Sequence, residues 1–115
     1  MSWSVVFHEE FEAEFDELSK EVQDELYAEA GFVERFGPET GRPHVDTLKD
    51  SNYSNMKELR FTLPDGEWRI AFAFDPKRRA ILLVGGSKSG MSEKRFYKDL
   101  IRAADTRFTA YLKTL

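Results

Sequence analysis

Cysteine is absent from this 115-residue chain. That excludes a disulfide framework, a thiolate nucleophile and any cysteine-ligated zinc site. Histidine is scarce: His8 and His44 stand apart, neither with a second histidine at ligand spacing, so no metal site and no cofactor are expected. No apolar run approaches the ~18 residues of a membrane-crossing helix. The start, Met1-Ser2-Trp3-Ser4-Val5-Val6-Phe7, has neither the basic residues nor the long apolar stretch of a secretory leader, and the cytoplasm is the expected compartment. Gly85-Gly86-Ser87-Lys88-Ser89-Gly90 has a superficial likeness to a phosphate loop but lacks the G-x-x-x-x-G-K-[ST] spacing, which argues against nucleotide hydrolysis. No nucleophile elbow, internal repeat or low-complexity tract is present.

Aromatic residues, by contrast, are plentiful: ten Phe, four Tyr and two Trp supply core material for one domain spanning residues 1–115. Charge is divided by sequence half. Residues 1–50 carry 14 Asp/Glu against 4 Lys/Arg, whereas residues 51–115 carry 13 Lys/Arg against 7 Asp/Glu. The net charge of −4 averages two opposed halves, and the basic half makes nucleic acid or another phosphate the first partner to consider.

The periodicity predicts the order β-α-α-β-β-β-α. Trp3 to His8 alternates as a strand. From Glu9 to Phe36 the apolar residues Phe11, Phe15, Leu18, Val22, Leu26 and Val33 recur at helical spacing, and Ser19 is a cap that breaks the stretch into a hairpin. Residues 37–55 read as a surface connection. Met56 to Leu63 and Trp68 to Asp75 alternate around the turn Pro64-Asp65-Gly66. The run Ala80-Ile81-Leu82-Leu83-Val84 suits a central strand covered on both faces. Ser92 caps a final helix with Phe96, Leu100, Ala104 and Phe108 on one stripe. The class is α+β, with an antiparallel sheet of about four strands.

Strand parity places Leu59 and Phe61 with Ile70 and Phe72, and turns Glu58, Arg60 and Arg69 to the opposite face. Lys88 follows the next strand, and Lys94, Tyr97 and Lys98 open the last helix. A basic site on Arg60, Arg69, Lys88, Lys94 and Tyr97 follows. Such a set suits phosphodiester cleavage: arginine forks bind phosphate oxygens, and lysine or tyrosine exchanges protons. Glu58 is open between a salt-bridge partner and a base. Arg69 lies opposite the core face in this reading, so Arg69→Ala is expected to leave the fold intact.

Three segments carry a family resemblance: Lys57-Glu58-Leu59-Arg60-Phe61, Trp68-Arg69-Ile70-Ala71-Phe72-Ala73-Phe74-Asp75 and Leu82-Leu83-Val84-Gly85-Gly86-Ser87-Lys88. Together with Lys94, Phe96-Tyr97 and Ala104-Asp105, the chain resembles the RelE/ParE toxin superfamily, and within it the HigB-type, phage-derived branch. The resemblance implies a RelE-like fold and the toxin of a type II toxin–antitoxin pair. It implies a ribosome-dependent, metal-independent mRNA endoribonuclease, or alternatively a ParE-like gyrase inhibitor or a module that only binds a partner. Carried over by position, Arg69 matches the arginine on the scissile phosphate, Arg60 and Lys88 match neighbouring basic residues, and Tyr97 matches a C-terminal aromatic at the substrate. Lys57, Lys94 and Lys98 are the expected RNA-binding residues. Met56 and Glu58 stand where relatives carry lysines, which leaves the base unassigned. The implied partners are a HigA-like helix-turn-helix antitoxin, the ribosome with its mRNA, and operator DNA only through the antitoxin complex. No membrane partner is expected.

Overall fold

A computed structural model describes residues 2–115. Strand β1 (Ser4–Phe7) leads into helices α1 (Glu9–Asp16) and α2 (Lys20–Phe36). Ser19 breaks the two helices as the sequence predicts, its hydroxyl accepting from the Val22 amide at 3.3 Å. His8 does the same service for α1, its Nδ1 accepting from the Glu10 amide. Helix α2 stops at Gly37, whose φ of 57° suits glycine. The Trp3 indole packs so closely there that any Cβ would lie 2.3 Å from its Nε1.

The remaining strands are β2 (Val45–Thr47), β3 (Met56–Leu63), β4 (Gly66–Phe74) and β5 (Arg79–Ser87), followed by α3 (Glu93–Leu112). They form one sheet in the order β1-β5-β4-β3-β2. The α+β class stands, with three corrections to the expected layout. The sheet has five strands, because Val45–Thr47 inside the expected connection pairs with β3 as a short edge. It is mixed, because β1 runs parallel to β5. Strand β5 also runs on through Gly85, Gly86 and Ser87, past the apolar run that ends at Val84.

Both faces of the sheet are covered. Helices α1 and α2 bury Phe11, Phe15, Val22, Leu26 and Val33 against Leu59, Phe61, Trp68, Ile70, Phe72 and Leu82. Helix α3 buries Phe96, Leu100, Ala104 and Phe108 against Met56, Ala71, Ala73, Ile81 and Leu83. A register shift between Ala71 and Phe72 puts two β5 residues in succession, Leu83 and Val84, on the α3 side. Gly85 then passes beneath Ile70 and Phe11, where a Cβ would lie 2.5 Å from Ile70 Cδ1. This second core alters one expectation: the face of Arg69 is not opposite the core but continues a core of its own.

Asp75, at the end of β4, ties the far corner together. Its side chain is fully buried. It accepts from the Lys77 and Arg79 amides, from Arg79 Nε at 2.8 Å and from the Tyr111 hydroxyl at 2.8 Å. Burial works to raise its pKa, but the hydrogen bonds from Tyr111, Arg79 and Lys77 outweigh it and hold the carboxyl below 3.8. With the folded value depressed, the unfolded chain binds the proton more readily. The stabilisation is complete above about pH 4 and is lost as the pH falls through the folded value. Thermal melts at decreasing pH should therefore show Tm falling steeply below pH 4, and Asp75→Asn, less stable at neutral pH, should flatten that acid limb.

Candidate functional site

The register fixes what parity alone leaves free. In the β3–β4 hairpin Leu59 pairs with Ile70, Phe61 with Trp68, and Arg60 directly with Arg69. Two arginines side by side repel unless an anion lies between them. Glu58 supplies it. Its Oε2 accepts from Arg60 Nη1 at 2.8 Å, and its Oε1 lies 3.7 Å from Arg69 Nε. The Tyr97 hydroxyl, on the first turns of α3, donates to Oε1 at 2.7 Å and accepts from Arg69 Nε at 3.2 Å. Lys88 lies 5.5 Å over the Tyr97 ring and reaches Glu93 at 3.2 Å. Arg60, Arg69 and Tyr97 thus converge on one carboxylate, with Lys88 beside them over the Tyr97 ring.

The convergence differs in character from the cationic cradle the sequence suggests. Each cation has an acidic neighbour: Glu58 for Arg60, Glu58 and Glu67 for Arg69, and Glu93 for Lys88. Arg69 is 3% exposed and all its nitrogens are engaged, Nη1 with the Trp68 carbonyl and Nη2 with Glu67. Held at each nitrogen, it orients the cluster, and truncating it would empty a buried site. Glu58 resolves toward the salt-bridge partner, since both its oxygens are occupied. Burial first, then the bond to Glu58, push the Tyr97 phenol above its ordinary 10.0 against the pull of Arg69. Tyr97 therefore holds its proton.

Free positive charge lies at the rim. A cleft of about 810 Å³ opens between β2, the turn after it and α3, with Glu58, Arg60 and Tyr97 among its lining. Lys49, Lys94, Lys98 and Arg102 line the same cleft, and among the described residues none has a carboxylate within 4.0 Å. Lys94 and Lys98 sit where the sequence suggests, on the α3 side. Lys57 does not. It pairs with Phe72 on the α1–α2 face, its ammonium bonded to Thr47 Oγ1 at 2.9 Å. Lys49 and Arg102 are not legible as site residues in the sequence, because they come from a turn and a helix face that only the folded chain brings together. His44 is not solitary either: its Nδ1 lies 2.8 Å from Glu29 Oε1. No cluster of His, Cys, Asp or Glu suited to a metal occurs among the described residues.

Comparison with known proteins agrees with this architecture. The sequence pattern of the family described as phage derived protein Gp49-like (DUF891) matches residues 13–109. The chain is 42% identical over 110 residues to a protein designated toxin HigB3 in Mycobacterium tuberculosis (strain ATCC 25618 / H37Rv), covering 95% of this chain and 93% of that one. It is also 42% identical over 96 residues to a protein of the same organism designated toxin HigB2, covering 83% of this chain but 47% of that one; the chain spans about half the length of that relative. The free-state structure of an arginine-to-alanine double mutant of E. coli toxin RelE matches with a TM-score of 0.60 at 14% identity, covering 89% of this chain and 96% of the other. At that identity the likeness is one of fold.

Proposed function

The chain belongs to the Gp49-like phage-derived protein family, and from that membership we propose that it is the toxin of a toxin–antitoxin pair that cleaves mRNA on the ribosome. The observation that carries this reading is the meeting of Arg60, Tyr97 and Glu58 in a cleft rimmed by unpaired Lys49, Lys94, Lys98 and Arg102. In this reading the message lies along the rim, its phosphates against those four cations. Arg60, whose side chain is 19% exposed, forks onto the scissile phosphate. Tyr97 gives its proton to the departing oxygen, while Arg69 and Glu58 hold the tyrosine and Arg60 in place. The ribose 2′-hydroxyl is the nucleophile. The proposed partner is a helix-turn-helix antitoxin that also carries the pair to its operator, and a ribosomal target places the action in the cytoplasm.

A second reading has its own observation. Every cation at the centre of the cluster is balanced by a carboxylate, which suits a toxin that binds its target, such as gyrase, and cuts nothing. Expression in bacteria separates the two. The nuclease is expected to halt translation and leave transcripts cut at codon boundaries, whereas a gyrase inhibitor leaves messages intact and breaks DNA. Arg60→Ala should cut cleavage about 10²–10³-fold, the usual loss when one preorganised donor is removed. The fold should survive, because Glu58 keeps Tyr97 and Arg69. Intact messages with wild-type protein, or undiminished cutting by Arg60→Ala, would each count against the nuclease as drawn.

A further inference from the structure

A second cleft, of about 410 Å³, holds a pair the reading above does not use. Its lining includes Glu29 from α2, His44 ahead of β2, Arg60 from β3, and Glu67 and Arg69 from β4. Glu29 is 8% exposed, and its Oε1 lies 2.8 Å from His44 Nδ1. An ionised carboxylate only accepts, so the Nδ1 facing it carries the proton, and Nε2 of the neutral ring is left bare. The His44 ring stacks on Phe32 with centroids 3.9 Å apart and planes 17° from parallel, which fixes its orientation. Its backbone carbonyl accepts from the Arg60 amide at 2.8 Å, tying it to the strand that carries the phosphate-binding arginine. A buried carboxylate behind an oriented, partly exposed imidazole is the arrangement that makes histidine a general base.

We infer that His44, oriented by Glu29, is the general base that removes the proton from the attacking 2′-hydroxyl; this rests on the nuclease reading. Arg60 lines both clefts, and a phosphate held on it would lie where they meet, with His44 lining one and Tyr97 lining the other. The 2′-oxygen gives its proton to His44 Nε2 and bonds to phosphorus. The bond from phosphorus to the 5′-oxygen breaks, and that oxygen takes the Tyr97 proton. The products are a 2′,3′-cyclic phosphate and a 5′-hydroxyl, and solvent returns the proton from imidazolium to phenolate. Glu29 is a positioning residue that also stabilises the imidazolium. The remaining charges that line that cleft are Glu25 from α2, Glu67 and Arg69 from β4 and Arg60 from β3.

The test uses the full chain and bacterial ribosomes programmed with a short end-labelled message. Wild type should leave cyclic-phosphate ends. His44→Asn should cut about 10²–10⁴-fold more slowly with a Tm near that of wild type, and regain activity in added imidazole, a rescue that a structural role would not give. Glu29→Ala should slow cutting, and Glu29→Gln, whose amide oxygen still accepts from His44 Nδ1, should restore most of the rate. His44→Asn cutting at the wild-type rate would overturn the assignment alone. Wild type leaving the message whole would remove the nuclease reading and this assignment together.

Discussion

Glu58→Ala should lower Tm by roughly 10–30 °C. Arg60 and Arg69 are direct cross-strand partners, and Arg69 is 3% exposed. Removing Glu58, itself 4% exposed, leaves Arg69 with only Glu67 at 3.3 Å, a carboxylate that is 56% exposed. Breaking a buried ion pair from one side costs about 3–5 kcal/mol, because the surviving charge stays desolvated. For a domain of this length each kcal/mol is worth roughly 3–6 °C. The Tyr97 hydroxyl also loses its acceptor, at about 1–3 kcal/mol if nothing replaces it. Glu58→Gln keeps an oxygen for Tyr97 and should fall between alanine and wild type. Thermal melts at neutral pH check the order; an alanine variant within about 3 °C of wild type would show that Glu58 does not hold the arginines together.

The helical hairpin was legible because Ser19 offers a side-chain cap between two apolar periods, and it caps α2 in the structure. The two long hairpin strands were legible because a two-residue alternation has one buried solution. Glu58, Arg60 and Arg69 share a face for that reason. Their pairing partners were not legible. Parity says which face a side chain takes, whereas register depends on the turn, and here Leu63 pairs with Gly66 around Pro64-Asp65. The edge strand Val45–Thr47 was hidden because three residues carry too little periodicity, and only Val45 among them is buried. The parallel pairing of β1 with β5 was hidden because it joins segments more than seventy residues apart. Burial of the arginine face was missed for a related reason. Ala71 and Ala73 look like polar-face filler in sequence, yet their small size is what lets Phe96, Leu100 and Phe108 of α3 pack onto that face. The Glu29–His44 contact, fifteen residues apart across the end of α2, left no local signal.

Tyr97→Phe should slow RNA cleavage about 10²–10³-fold, the range lost when a positioned proton donor is removed, while Tm falls only a few degrees. The substitution deletes one oxygen. The ring keeps its edge-on contact with Phe96 at 5.3 Å and its place beneath Lys88. What goes is the bond to Glu58 at 2.7 Å and the one from Arg69 at 3.2 Å. Glu58 retains Arg60, and Arg69 retains the Trp68 carbonyl and Glu67, so neither is orphaned. The pH profile gives an independent check. A proton donor must stay protonated to act, and burial together with Glu58 raises the Tyr97 pKa above 10.0. A raised value moves loss of the donor to higher pH, so the wild-type rate should hold on the alkaline side until beyond about pH 10. An alkaline fall centred nearer 8 or 9 would assign the donor elsewhere. Wild-type turnover by Tyr97→Phe would do the same, and would leave the hydroxyl as a strut between Glu58 and Arg69.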